Sequence, residues 1–280
     1  MSETHLYQLR PRGQSRSAAE TGFTPIAAVD REHSDWGGYG PIKRFLLGTT
    51  LEEESYYGFL PPDFQPLTGL DAAAVRGLIE PRAGAADVIS VSPFFDQMAL
   101  YLNIVEQTLG SCARGHEAIR ECAALVAPEF RVDRDVMTSL DTIFRNCFVA
   151  KPAFWAEWLR HAELISGRAR DAGTSLGRAL HGAASAPTEA ALLESLVMDQ
   201  VASLILWSQP QWIVSACDPM RLPLSRAPIA ALIGMADLIV LDALKIAYAR
   251  SGADQYLATF QQLRNRIAER LASTRAARNG

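Results

Sequence analysis

The apolar positions of this chain change period several times, and each change marks an element. From Phe23 onward come three short β-prone pieces, FTPIAAV, RFLLG and YYGFL, separated by Gly, Pro and acidic residues and predicted as strands or strand fragments. Residues 71–79 are predicted as a short helix capped by Asp71, which Pro81 and Gly84 end before an apolar strand over 87–91. After Pro93, Met98, Tyr101, Leu102, Val105 and Leu109 recur at three- and four-residue steps, which predicts one amphipathic helix. Helices over 113–126 and 134–140 follow. TIFRNCFVAK, apolar on both alternating faces, is then predicted as an interior strand. Lys151 and Pro152 open a helix with Phe154, Trp155, Trp158, Leu159 and Ala162 on one side. Three more helices are predicted over 188–207, 227–250 and 254–276.

Residues 1–22 mix Arg, Ser, Gln and Gly without an apolar period, which predicts a mobile arm outside the core. The organisation read from the pattern is an arm over 1–22, an α/β core over 23–206, and a helical extension over 207–280 packed on that core. With 280 residues, 49% of them apolar and 21% charged, the chain can bury a substantial core. The formal net charge of -4 gives no electrostatic reason to expect nucleic acid as a partner. Cys112, Cys122, Cys147 and Cys217 are unpaired by spacing, and no secretory apolar run follows Met1, so a cytoplasmic protein with reduced thiols is expected. The apolar run over 227–241 falls short of the roughly 20 residues of a spanning helix, so no transmembrane segment is expected there.

Four constellations carry candidate chemistry. On a single helix after Pro93, Asp96, Asn103 and Gln107 fall within roughly 40° of one another. An acid heading that stripe beyond a strand end suits a metal ion or a sugar hydroxyl, and equally a helix-terminal acid favoured by the dipole. In DREHSDWGGYGPIKRFL, Asp30, Asp35, Trp36, Tyr39, Lys43 and Arg44 crowd around two glycines. Its rings suit stacking on a base or sugar and its cations suit a diphosphate, while the plainer alternative is a polar loop that plants Trp36 and Tyr39 in the core. Asn146 and Lys151 flank the end of the predicted interior strand, where the same crevice rule applies, or serve structure alone. In ALLESLVMDQVASLIL, Asp199 sits on the polar edge of a helix, as a catalytic or a surface acid would, whereas Gln200 falls on the apolar side. The histidines show no metal or triad spacing, and Glu52, Glu53 and Glu54 read as a solvated charge run.

Taken in order, TPIAAVDREHSDWGGYGPIKRFL, ESYYGFLPPDFQPLTGL, ADVISVSPFFDQMALYLNIVEQ, NCFVAKPAFWAEWL and MDQVASLIL resemble bacterial cell-surface polysaccharide biosynthesis proteins. The closest similarity is to small glycosyltransferase-like proteins of capsule and O-antigen loci, over residues 23–206. The resemblance implies a GT-A-like α/β core with a short mixed sheet, which transfers a sugar from a nucleotide-sugar donor to a glycan or glycolipid acceptor. It places Trp36, Tyr39, Lys43 and Arg44 by the donor, and SPFFDQ where the acidic metal motif belongs, so that Asp96 would hold Mn or Mg. It sets NCFVAK on the acceptor side, with Asn146 and Lys151 joining Asn103 and Gln107 as substrate-binding residues and Asp96 and Asp199 as catalytic ones. Asp199 stands where that pattern has a Glu-Arg pair, Gly38 stands where it has an acid, and a true Asp-x-Asp is absent. The alternatives are a non-catalytic relative that binds a glycan or partner, and a mainly helical small-ligand module. A homo-oligomer through the C-terminal helices and a place on the cytoplasmic side of the inner membrane complete the expectations.

Overall fold

The computed structural model describes residues 3–10, 22–27, 36–112, 115–182, 187–227 and 232–279. Its strands are β1 (Thr4–Arg10), β2 (Thr24–Ala27), β3 (Tyr56–Leu60), β4 (Val88–Ser90), β5 (Phe148–Ala150) and β6 (Val214–Ala216). The helices through the first half are α1 (Tyr39–Gly48), α2 (Phe64–Thr68), α3 (Ala72–Ile79), α4 (Phe95–Leu100), α5 (Ile104–Ser111) and α6 (His116–Val126). Those that follow are α7 (Pro152–Arg170), α8 (Ser175–Gly182), α9 (Pro187–Asp199), α10 (Val201–Ser208), α11 (Met235–Ser251) and α12 (Asp254–Asn279). The class is mixed α/β, with one six-stranded sheet ordered β2-β1-β3-β5-β4-β6. All strands run parallel except β5, which is antiparallel to both β3 and β4. The carboxyl ends of β1, β3, β4 and β6 therefore share one edge with the start of β5.

Each face of the sheet buries its own cluster. Leu9, Phe59, Val88 and Phe148 face the helical layer that includes α6, α7 and α10, whereas Leu6, Leu60, Ile89 and Val149 pack with Phe64, Val75 and Ile79 of α2 and α3. Trp155 locks α7 to the sheet: its ring stacks on Phe148 at 4.5 Å and its indole N–H donates to the Tyr57 carbonyl at 2.8 Å. A third cluster joins Phe95, Ala99 and Leu102 to Leu238, Leu241, Phe260 and Ile267 of the last two helices.

Several expectations change. Residues 4–10 of the expected arm form an interior strand with partners on both sides, and Leu6 and Leu9 are buried. Residues 11–21 lie outside the described residues. RFLLG is the last half of α1, where the spacing of Tyr39, Ile42, Phe45 and Leu46 keeps one face on the core. A boundary after residue 206 would cut β6 from the sheet that it completes.

The predicted helix after Pro93 is two helices. The Asn103 side chain accepts from the Glu106 N–H at 2.9 Å, and Glu106 reaches back to the Leu102 N–H at 2.5 Å, a reciprocal cap that starts α5. Residues 134–140 are not helical, and the predicted strand over TIFRNCFVAK shrinks to β5. The connection into β5 is pinned by side chains from several elements. Asp242 takes the Ser139 N–H and hydroxyl, Ser203 takes the Ile143 N–H, and Ser92 takes the Phe144 N–H.

Candidate functional site

The edge at the carboxyl ends of the parallel strands is where open α/β sheets leave room for a ligand. Three of the four described non-glycine residues with left-handed backbone lie there: Phe94 (φ 75), Arg145 (φ 55) and Asn146 (φ 54). Such conformations cost of order 1–3 kcal/mol each and persist only where surrounding bonds impose them. The Ser92 and Ser203 hydroxyls impose the turn before Arg145, and the Arg145 guanidinium is itself held by Asp63 at 2.8 Å. Asp63 follows β3 at the same edge, where Gln8 at the end of β1 donates to the Pro62 carbonyl at 3.1 Å.

At this edge several polar groups have no protein partner. Asn146 is only 2% exposed, yet neither its Nδ2 nor its Oδ1 is hydrogen-bonded, and the Oε1 of the 1% exposed Gln200 is also unmatched. Among the described residues, the backbone N–H groups of Arg145 and Asn146 have no acceptor, and the Asp199 carboxylate has no hydrogen bond or ion pair. Burial pushes the Asp199 carboxyl up to about 7, with the Arg145 guanidinium pulling it partly back and the Asp63 carboxylate pushing it further. Asp199 ends α9, and Gln200, whose backbone is itself helical (φ -79, ψ -23), is the one residue between α9 and α10. That break is also where the helical stretch 188–208 loses continuity; by length and composition alone this stretch is long and apolar enough to cross a membrane, and more than half of it is buried inside the fold.

Asp199, far from Asn146 in sequence, lies near both of its chain neighbours: its charge acts on the Cys147 thiol, and the Arg145 guanidinium acts on it. Lys151 is elsewhere. It sits at the far end of β5, where it pairs with Glu54 at 3.3 Å and Asp87 at 3.8 Å. Asn146 and Lys151 therefore lie toward opposite ends of β5.

Asp96 is fully buried. Its Oδ1 accepts from the Ser225 N–H at 2.7 Å, and its Oδ2 accepts from the Gln97 amide at 2.7 Å and the Ser225 hydroxyl. Gln107 reaches this group only through Gln97, at 3.4 Å. Asn103 is consumed by its cap and by donating to the Val132 and Asp135 carbonyls. In this arrangement Asp96 braces the 223–227 segment against α4. Its donor set does not fit Mn²⁺ or Mg²⁺ unless Ser225 and Gln97 release it. Among the described residues, three metal-ligating side chains come within 4.8 Å of one another at Glu3, His5 and Glu52, on the opposite edge of the sheet.

The Trp36–Arg44 segment packs mainly on the helical layer. The close approach allowed by Gly38 (φ 96) is to protein: an added Cβ would come 2.2 Å from Leu9 Cδ1. Tyr39 is buried 6.4 Å from the Trp158 ring, Lys43 pairs with Glu163 at 2.8 Å, Trp36 is half-buried, and Arg44 is exposed. Asp30 and Asp35 lie outside the described residues.

Sequence reading missed Asp63 and Arg145. Their signals were present: an Asp directly after the Pro-Pro that ends YYGFL, and an Arg beside Asn146. No protein family, curated protein or solved structure matches the chain.

Proposed function

We propose that this protein is a glycosyltransferase of bacterial surface-polysaccharide assembly, with a GT-A-like use of its sheet edge, moving a sugar from a nucleotide-sugar donor to a glycan or glycolipid acceptor. The observation that carries the reading is Asp199: a half-buried carboxyl with no hydrogen-bond or ion-pair partner, pushed up to about 7 by burial, at the strand-end edge of the sheet that also holds an unsatisfied buried amide. A general base works best with a pKa close to the working pH. In an inverting transfer the acceptor hydroxyl oxygen forms the bond to the anomeric carbon as the bond to the diphosphate breaks. The bonding electron pair leaves with the diphosphate, and the hydroxyl proton passes to Asp199. Gln200 and Asn146 orient the hydroxyl for that transfer. On the donor side the reading keeps the half-buried Trp36 and the exposed Arg44. The chain would act on the cytoplasmic side of the inner membrane.

The test is release of nucleoside diphosphate from a panel of nucleotide sugars with sugar acceptors, with and without Mn²⁺, across pH 5–9. The parent should turn over at least one donor, with a rate that rises through about pH 7 as Asp199 ionises. Asp199→Asn should lose at least a hundredfold in kcat, about 2.7 kcal/mol of barrier. Donor binding without turnover in the parent would leave a non-catalytic relative, the reading favoured by the sealed Asp96. Neither binding nor turnover would end the glycosyltransferase account.

A further inference from the structure

Between the α4–α5 break and α12 the structure leaves a cavity of about 260 Å³. Leu100, Ile267 and Leu271 supply apolar lining, and Tyr101, Glu106 and Arg264 supply polar lining. These walls are fixed by the protein's own contacts. Lys245 holds the Tyr101 carbonyl at 2.8 Å, and the Tyr101 ring packs beside Gly110, where an added Cβ would come within 3.3 Å of it. The Glu106 carboxylate takes the Leu102 N–H at 2.5 Å, and the Arg264 guanidinium lies over the Phe260 ring at 5.2 Å.

The unmatched groups in this lining are donors. Arg264 gives only Nη1 to Glu106, at 2.9 Å to each carboxylate oxygen. Among the described residues, its Nε and Nη2 hydrogens and the Tyr101 hydroxyl have no acceptor, yet none of these atoms is sealed in the interior. Burial, with the Glu106 charge added and the Arg264 charge opposing, raises the Tyr101 phenol above its ordinary value, so it stays a hydroxyl able to donate. A cation would find both Glu106 oxygens already engaged, and a purely apolar molecule would leave the donors unpaired. A carboxylate takes the Nε–Nη2 edge of a guanidinium through two parallel bonds. Glu106 weakens the attraction for an anion without occupying that edge, so affinity rests on those bonds together with the apolar wall. A cavity of about 150 Å³ holds benzene, so this one has room for about ten non-hydrogen atoms.

We infer that this cavity binds a small monocarboxylic acid with an aliphatic or aromatic body, its carboxylate on the Nε–Nη2 edge of Arg264 and its body against Leu100, Ile267 and Leu271. The site shares no residue with the Asp199 edge, so it stands whether or not the protein transfers sugar.

Calorimetric titration of the full chain with octanoate and phenylacetate tests this, with octanol, octylamine and acetate as counter-probes. At least one acid should bind the parent at one-to-one stoichiometry, and at least tenfold tighter than the alcohol, the amine or acetate. Arg264→Gln should lose at least tenfold in acid affinity and nothing in octanol affinity, because only the charged fork is gone. Ala268→Trp, at an exposed position of α12 that also lines the cavity, keeps the Arg264–Glu106 pair and fills the space, so it should abolish acid binding should the first variant fold poorly. Asp199→Asn should bind the acid as the parent does. Failure of both acids to bind the parent, equal affinity for octanol or octylamine, or undiminished binding in either cavity variant would overturn the inference. Acid binding lost in Asp199→Asn would move the ligand to the sheet edge and overturn it as well.

Discussion

Two buried polar regions lie on either side of the connection into β5, and they are built on opposite principles. Around Lys245, 1% exposed, every valence is filled: the ammonium donates to the Met98, Tyr101 and Met137 carbonyls at 2.5, 2.8 and 2.7 Å. Asp242, one turn away, takes both donors of Ser139. Around Asn146 and Gln200, by contrast, buried amide atoms stand unmatched, and the half-buried Asp199 carboxylate beside them has no protein partner. A polar group buried with its partners costs little, whereas an orphan costs roughly 1–3 kcal/mol. The first region is what a fold needs to tie α11 to the end of α4. The second leaves buried amide atoms at a cost that the fold has to carry elsewhere.

Breaking the filled region should give the larger effect. Lys245→Met leaves three carbonyls without their cation and Asp242 without a nearby positive charge, which should cost about 3–5 kcal/mol in urea unfolding. Burial holds the Lys245 ammonium down at about 8. The unfolded chain therefore binds the extra proton between about pH 8 and the ordinary lysine range, and stability gains from this group as pH rises through that window. The variant should lose that gain.

Breaking the unfilled region should have the reverse sign. The folded Asp199 carboxyl, raised to about 7, holds a proton that the unfolded chain gives up near the ordinary aspartate value. Its contribution to stability falls as pH rises from about 4 to 7 and is gone above that. Asp199→Asn should therefore be more stable than the parent by about 1–3 kcal/mol at pH 8 and by little at pH 4, discounted for partial exposure. Melting curves of both proteins across that range check the sign. Glu194 and Asp141, raised to about 7 and about 6, tilt the parent in the same direction, so only the difference between the proteins isolates Asp199. Together with an activity loss, that would be the trade between function and stability expected of a working site.

Much of the frame was legible in the sequence because it rests on local patterns. YYGFL is β3, the Asp71 side chain caps α3 by accepting the Ala74 N–H at 2.8 Å, and Pro152 opens α7 with Trp155 and Trp158 buried. What escaped depends on partners distant in sequence. β1 shows few buried apolar residues on either face and is a strand because β2 and β3 flank it. The break before α5 depends on a cap and on Lys245, 147 residues from Met98. At the site, the stripe led by Asp96 followed from assuming one straight helix, and the break at 101–103 dissolved it. Gln200, odd on the apolar side of its predicted helix, was the better clue, because it marks a buried amide with an unmatched oxygen at that edge.

The most direct measurement is the titration of Asp199 itself, followed by the carboxyl carbon shift in protein labelled at aspartate, with Asp199→Asn to assign the resonance. The account predicts an apparent pKa near 7 in the free protein. A carboxyl that titrates near 4 would mean that water or a protein partner already satisfies it, and would contradict the claim that Asp199 is a base poised for proton transfer at this edge.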